Sequence, residues 1–417
     1  MDQRLAIDGG KPVREKPLPP FYPGASVYNE EESNATAEVI AAKSPFRFYG
    51  PNCLRKTKKF ETLFSEKFGV KHVLAVTSGT AALMCALKAA GIGAGDKVIV
   101  PACTFIAAAG AVVCAGGVPV FADIDESLNI DPDDIERHID RDTKALICVP
   151  ILGNPCRMDQ IMKIADRHHL TVIEDVAQSC GSSYKGRFSG TFGQINTFSL
   201  QMNKIITTGE GGAVATNDPR LYERAVRYHD QGMFREREGF LNVDENADIF
   251  VGQNYRMSEI SGAVALVQLG KLNQIIAGMR KNKKIIKDGI RGVRGIRFRT
   301  INDEKGDAGN ALILLLDSSE KSVAFCRAMG AENIPMNRLY AGRPVYMEPQ
   351  IFHQRTADRS GFPFNQFDSP VVYTEDMCPN AVRILPRNSV LNIGPTWTEK
   401  DDEDVIAAVR KVAAKIL

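Results

Sequence analysis

The sequence predicts an α/β fold with a mostly parallel sheet covered by helices on both faces. Two observations predict it. Short apolar, β-branched runs recur from Val73 to Glu174. Between them lie segments with the 3.6-residue apolar spacing of helices, and Gly or Pro marks many of the joints. Repeated strand–helix–strand crossovers of this kind require parallel strands.

Taken in order, Thr57–Phe68 is a helix whose apolar face is Phe60, Leu63, Phe64 and Phe68. Val73–Val76 is a strand, and Ala81–Ala90 a helix stopped by Gly91. Val98–Val100 and Val118–Phe121 are strands around a short alanine-rich helix. Asp131–Ile139 is a helix with Pro132 in its first turn. Ala145–Pro150 is a buried strand, Met158–His168 a helix and Leu170–Glu174 a strand. After Gly212 the texture changes. Pro219–Arg227 is helical, Asp230–Asp248 is a polar loop, and Ser258–Lys284 is one or two long helices. A smaller unit starts near Asp288, with strands at Ile296–Arg299 and Ala311–Leu316. It continues with helices at Ser319–Met329 and Glu399–Ile416, and His353–Pro370 is a surface loop or lid. The expected division is an N-terminal segment over 1–30, a large domain over 31–287 and a small domain over 288–417.

Composition excludes several classes of function. The chain has 417 residues, 52 basic and 50 acidic, for a formal charge of +2. No basic field for a nucleic acid is implied. Nine cysteines scattered from Cys53 to Cys378, with no C-x-x-C pair, argue for a reducing cytoplasm rather than a disulfide scaffold or structural zinc. Six histidines without an H-E-x-x-H pattern indicate no metal. The N-terminus has no apolar core of a secretory signal. Val98–Ala122 carries no charge and is long enough to cross a bilayer, but Pro101 and Gly116-Gly117 punctuate it as strand, helix and strand. No membrane span is expected.

Four segments carry the chemistry. Ser78-Gly79-Thr80 lies between a strand and a helix, where free N–H groups and hydroxyls suit a phosphate; an ordinary N-cap is the alternative. Glu174-Asp175-Val176-Ala177-Gln178 follows a buried strand, at the end that faces the ligand crevice in open sheets. A carboxylate there suits a protonated ring nitrogen, or simply starts the next turn. Lys204 ends the run Phe198–Lys204 and precedes Gly209-Glu210-Gly211-Gly212. A lysine held near a buried ligand can form a Schiff base with an aldehyde, although most lysines lie on the surface. Gly252–Glu259 contains Asn254 and Arg256, which suit a loop or a subunit contact. In this order, phosphate turn, acidic strand end and lysine fit a pyridoxal phosphate site.

At these residues the chain resembles the DegT/DnrJ/EryC1/StrS aminotransferases, the sugar-aminotransferase branch of the aspartate-aminotransferase fold. The segments FRFYG, TSGTAAL, VIVPACTFIA, PVFADID, VIEDVAQS, FSLQMNKIITTGEGG and GQNYRMSEISGAVALVQL carry the resemblance, from about Phe46 to Leu272. It implies a fold type I PLP-dependent transferase: a large domain with a mostly parallel sheet and a small C-terminal α+β domain. Lys204 would form the Schiff base and move protons. Asp175 would pair with the pyridine nitrogen and Gln178 with the 3′ oxygen. Gly79, Thr80 and Ser199 would hold the phosphate, and Phe105 would stack on the ring. Asn254 would reach the phosphate of a neighbouring subunit's cofactor, so a homodimer with shared active sites is implied. Arg47, Tyr49 and Arg256 are the candidates for binding substrate, the arginines because guanidinium pairs with carboxylate in a fork; for each arginine a structural salt bridge is an equal alternative.

The implied reaction passes an amino group from L-glutamate or L-glutamine to a ketone or aldehyde on a sugar-like acceptor. That acceptor is a nucleotide-linked ketosugar, a cyclitol ketone or an 8-oxo-octulosonate. Where relatives often carry histidine, this chain has Pro150, so a substrate contact there is lost or moved. Rival readings are a sugar dehydratase, which carries histidine at the lysine position, and a non-catalytic regulatory or binding protein of the same fold. A nucleotide-dependent dehydrogenase is a third. Its glycine fingerprint is missing, because Gly91-Ile92-Gly93-Ala94-Gly95 follows a helix and precedes a strand.

Overall fold

Seven strands form the central sheet: β1 (His72–Val76), β2 (Lys97–Pro101), β3 (Val118–Ala122), β4 (Thr143–Cys148), β5 (Thr171–Asp175) and, beyond the hairpin β6 (Ser183–Tyr184) and β7 (Arg187–Phe188), β8 (Ile195–Ser199) and β9 (Gly212–Thr216). The computed structural model describes residues 4–235, 241–242, 248–357 and 359–417. The strand order is β1-β9-β8-β5-β4-β2-β3. Only β9 runs against its neighbours; the pairs β5–β8, β4–β5, β2–β4 and β2–β3 are parallel. The mostly parallel sheet is therefore present.

Alternation along β1 shows why both faces need helices. Leu74 and Val76 join one apolar cluster with α3 (Gly79–Ala89) and α4 (Ile106–Cys114), following α1 (Glu30–Ala41) and α2 (Lys56–Phe68) in the chain. Val73 and Ala75 point the other way, into the cluster that contains Phe60 and Phe64 of α2. Phe64 stacks on Phe68 with ring centroids 4.2 Å apart and meets Phe198 of β8 edge-on. Phe64→Ala would cost about 3–5 kcal/mol. The N-terminus of α2 has no side-chain cap of its own, since Arg55 is left-handed there. The buried Glu259 carboxylate takes its place, accepting from Lys56 N at 2.6 Å and Thr57 N at 3.0 Å.

The uncharged stretch Val98–Ala122 forms β2, α4 and β3 in the core, as expected. The helix expected over Asp131–Ile139 divides into α5 (Pro132–Ile135) and a 3-10 turn, Glu136–His138. α6 (Met158–His168) and α7 (Pro219–His229) follow the apolar spacing. The hairpin β10 (Phe234–Arg235) and β11 (Leu241–Asn242) occupies part of the expected polar loop, whose residues 236–240 and 243–247 lie outside the described ones. Ser258–Lys284 begins a single helix, α8 (Glu259–Gly289), capped by Ser258.

Beyond α8, β12 (Arg297–Phe298), β13 (Ala311–Leu315) and β14 (Asn388–Asn392) form an antiparallel sheet with β13 in the middle. α9 (Ser319–Ala331), α10 (Pro349–Phe352), α11 (Pro379–Ile384) and α12 (Glu399–Ile416) complete the chain. The N-terminal segment is anchored to this C-terminal part. Buried Glu332 accepts from Ala6 N and Val13 N, each at 2.9 Å, and pairs with Lys411 at 2.8 Å. Most of 353–370 is exposed, with Pro363 and Phe364 buried as its anchor.

Candidate active site

The carboxyl ends of β1, β5 and β8 bring the expected residues to one edge of the sheet. Ser78 leaves β1 extended and caps α3, its side chain accepting from Ala81 N at 3.0 Å. Ser78 O takes Ala82 N. The N–H groups of Gly79 and Thr80 remain unclaimed by the cap, at the positive end of the helix. Opposite them stands Ser199, the last residue of β8. A Cβ on Gly79 would lie 2.7 Å from Ser199 Cβ and 3.0 Å from its Oγ, so only glycine lets the turn approach this closely. The cap and the anion cradle are thus one structure.

Two adjacent buried carboxylates end β5 and have opposite surroundings. Alternation turns them to opposite faces. Glu174 accepts three backbone N–H groups, from Gly190 at 2.9 Å, Phe192 at 2.6 Å and Gly193 at 3.0 Å. It ties down the turn before β8. Asp175 receives only Ala177 N at 3.2 Å and the Thr197 hydroxyl at 3.5 Å, both on Oδ1. Among the described residues Oδ2 accepts no hydrogen bond. Burial pushes the Asp175 carboxyl above the usual carboxylate range, with the Ala177 N–H and the Lys204 charge acting against it.

Lys204 sits in the turn after β8, where Gly24 N donates to its carbonyl at 3.3 Å. Burial lowers its ammonium below the ordinary lysine range, opposed by Asp175 and then Glu210. It forms no salt bridge among the described residues. A desolvated amine within electrostatic reach of a buried acid suits a Schiff-base lysine.

Gln178 lies in the turn after Asp175 and is gripped by the C-terminal part of the chain. Its Nε2 donates to the Tyr340 hydroxyl at 2.8 Å, and its carbonyl accepts from Asn310 Nδ2 at 3.1 Å. The neighbouring turn Ile151–Gly153 contains Leu152 at φ 43°. Buried Arg299 holds it by donating to Ile151 O at 2.7 Å and Leu152 O at 2.6 Å. Ser179 adds a bond from its hydroxyl to Pro150 O. Tyr340, Asn310 and Arg299 were not foreseen in the sequence. They lie beyond the segments that carry the resemblance, and no spacing links them to the motifs they touch.

The remaining candidates separate. Phe105 is the N-cap residue of α4 and 58% exposed, open to a ligand. Tyr49 is equally exposed and packs edge-on against Phe46 at 4.7 Å. Asn254 is exposed, with its Oδ1 accepting from Arg256 N at 3.4 Å. Arg47 needs correction. Its guanidinium is buried against Glu61 at 2.6 Å and donates to Ala75 O at 2.9 Å, so it braces α2 to β1 and does not face a substrate. Arg256 is paired with buried Asp230, so a substrate carboxylate would have to compete with that pair. All nine cysteines are free.

The chain is similar to known proteins. The model of the DegT/DnrJ/EryC1/StrS aminotransferase family matches residues 28–410. The chain is 44% identical over 234 residues to the GDP-perosamine synthase of Escherichia coli O157:H7, covering 56% of this chain and 62% of that protein. It is 37% identical over 293 residues to the L-glutamine:2-deoxy-scyllo-inosose aminotransferase of Streptomyces kanamyceticus, covering 68% of this chain and 66% of the other. The chain thus spans just under two thirds of each of these relatives. A solved aminotransferase from Psychrobacter cryohalolentis superimposes with a TM-score of 0.81 at 31% identity, over 95% of this chain and 100% of that one.

Proposed function

This chain belongs to the DegT/DnrJ/EryC1/StrS aminotransferase family, and on that premise we propose that it is a pyridoxal phosphate-dependent transaminase. Its donor is L-glutamate or L-glutamine, and its acceptor a ketone or aldehyde on a sugar or cyclitol. One observation carries the reading: the half-buried Lys204 is electrostatically coupled to Asp175, whose Oδ2 accepts no hydrogen bond among the described residues, beside the cradle of Gly79, Thr80 and Ser199.

The residues fit the cofactor. A buried carboxylate whose pKa is raised for want of a partner is relieved by a cation, and the ring N–H would supply it. Free N–H groups at the start of α3, with the Ser199 hydroxyl, would take the phosphate. Pyridoxal phosphate supplies an aldehyde to carry the amino group and a ring that withdraws electrons. Asp175 would keep that ring nitrogen protonated. Gln178 would offer an N–H to the ring oxygen. Lys204 Nζ, whose charge burial disfavours, would take a proton from one carbon and return it to another. Phe105 covers the ring at the open side. Asn254 serves the neighbouring site in a cytoplasmic homodimer, and the large and small domains meet near residue 287.

The two curated relatives support an acceptor of sugar or cyclitol type, one being named for GDP-perosamine and the other for 2-deoxy-scyllo-inosose. The test has two steps. Borohydride reduction of the cofactor-loaded protein should fix the adduct on Lys204, and Lys204→Ala should abolish it. The protein loaded with the amino form of the cofactor is then offered a nucleotide-linked ketosugar, a cyclitol ketone and an 8-oxo-octulosonate. An adduct mapped to another lysine, or no turnover with any of the three, would refute the proposal.

A further inference from the structure

Gln178 belongs to the sheet domain, but what holds its side chain comes from the far end of the sequence. The strap Arg338–Val345 leaves the small sheet and ends on the large domain, where Val345 N donates to Ala102 O at 2.8 Å. Its start is tied at Leu339 N to Asn388 Oδ1 at 2.8 Å. Between these anchors, Tyr340 at φ 49° and Ala341 at φ 53° are consecutive left-handed residues that are not glycine. Only a closely held chain keeps two such residues in that region, and such strain gathers at functional sites. The strap delivers the Tyr340 hydroxyl to within 2.8 Å of Gln178 Nε2. Asn310 holds the main chain of the same residue.

We infer that Tyr340 is a positioning residue for the cofactor ring, acting through Gln178; the inference rests on the pyridoxal phosphate reading above. The Gln178 amide has two N–H groups. Tyr340 accepts one and so fixes the plane of the amide, which leaves the other aimed at the ring oxygen. The Tyr340 phenol is a neutral acceptor at working pH, because burial pushes its ionisation far up. The C-terminal domain thereby sets the acidity of a group bound by the N-terminal one. A hydrogen bond donated to the ring oxygen stabilises its ionised form. Loss of the alignment makes that oxygen, and the Schiff base that shares its proton, more basic.

The experiment is a pH titration of the visible band of the cofactor-loaded protein, with thermal unfolding as the fold control. Tyr340→Phe keeps the ring and its packing and removes only the hydroxyl. The midpoint is expected to rise by roughly half a unit or more. Gln178→Ala should raise it further, and the double variant should match Gln178→Ala alone. An unchanged midpoint in Tyr340→Phe overturns the inference, as does a double variant whose shift is the sum of the two. If Gln178→Ala leaves the midpoint in place, the inference also falls, while the transaminase reading stands on Lys204. If the wild-type protein forms no visible band with pyridoxal phosphate, the transaminase reading itself is what fails.

Discussion

Glu174 and Asp175 are adjacent, buried and acidic, yet neutralising them should have opposite effects on the protein without cofactor. In Glu174→Gln the amide can retain the Phe192 and Gly193 N–H groups on one oxygen, but its NH2 then faces the Gly190 N–H. A hydrogen bond to a charged group is lost and a buried donor is stranded, a cost of about 1.5–3 kcal/mol. In Asp175→Asn, Oδ1 keeps Ala177 N and the Thr197 hydroxyl, and only the unpartnered Oδ2 changes. That variant should be as stable as wild type or more so. Its cofactor affinity should fall by about 2–5 kcal/mol, roughly 30-fold to several thousand-fold, because the ring cation loses its buried partner. Burial raises Glu174 as well, so both variants alter the pH dependence of stability in the same direction. Burial raises the Asp175 pKa in the folded state above its unfolded value. Folding therefore binds a proton there, and stability falls as pH rises from the ordinary carboxylate range through the raised pKa. Asp175→Asn removes that part of the slope. The assays are urea unfolding of the cofactor-free proteins across acid to neutral pH, and cofactor titration followed by fluorescence. Loss of more than about 1 kcal/mol in unliganded Asp175→Asn would refute the reasoning, since Asp175 would then be a structural carboxylate like its neighbour.

Three further outcomes follow from the geometry. Gly79→Ala places a Cβ 2.7 Å from Ser199 Cβ, about 1 Å inside ordinary contact, so it should cost about 1–3 kcal/mol and weaken binding of inorganic phosphate and cofactor alike; a variant that binds both normally would contradict the cradle. Glu332→Gln disturbs the buried carboxylate that joins Ala6, Val13 and Lys411, and should lower stability by about 2–3 kcal/mol and open the N-terminal segment to limited proteolysis. Asn254→Ala should weaken cofactor retention without changing the unfolding midpoint of the cofactor-free protein, because its side chain is exposed; equilibrium dialysis reads this, and unchanged retention in a dimer shown by sedimentation would exclude the contact across subunits.

Much of the large domain was legible because its elements are short and locally punctuated. β1, α3 and β5 lie within a few residues of their expected limits, and Ser78 and Asp175 fall at their ends, while Lys204 lies in the turn after β8. α1, β8, β9 and β14 were not among the expected elements. The strands β8, β9 and β14 are partly polar, and pairing with neighbours rather than their own pattern makes them strands. For Arg47 the choice between a substrate carboxylate and a structural salt bridge needed the fold, because Glu61 meets it only once α2 packs on β1.

What the sequence determined by itself is the set of candidate groups and their places: a turn suited to an anion, an acid at a strand end and a lysine ahead of a glycine-rich turn, each set by local backbone geometry. What only the tertiary structure decided is which of two neighbouring carboxylates is free to hold a ligand, and what holds Gln178. Those depend on hydrogen bonds between residues far apart in the chain, such as Tyr340 to Gln178, and no local propensity encodes them. A buried polar group is defined by its partners, and its partners exist only once the chain has folded.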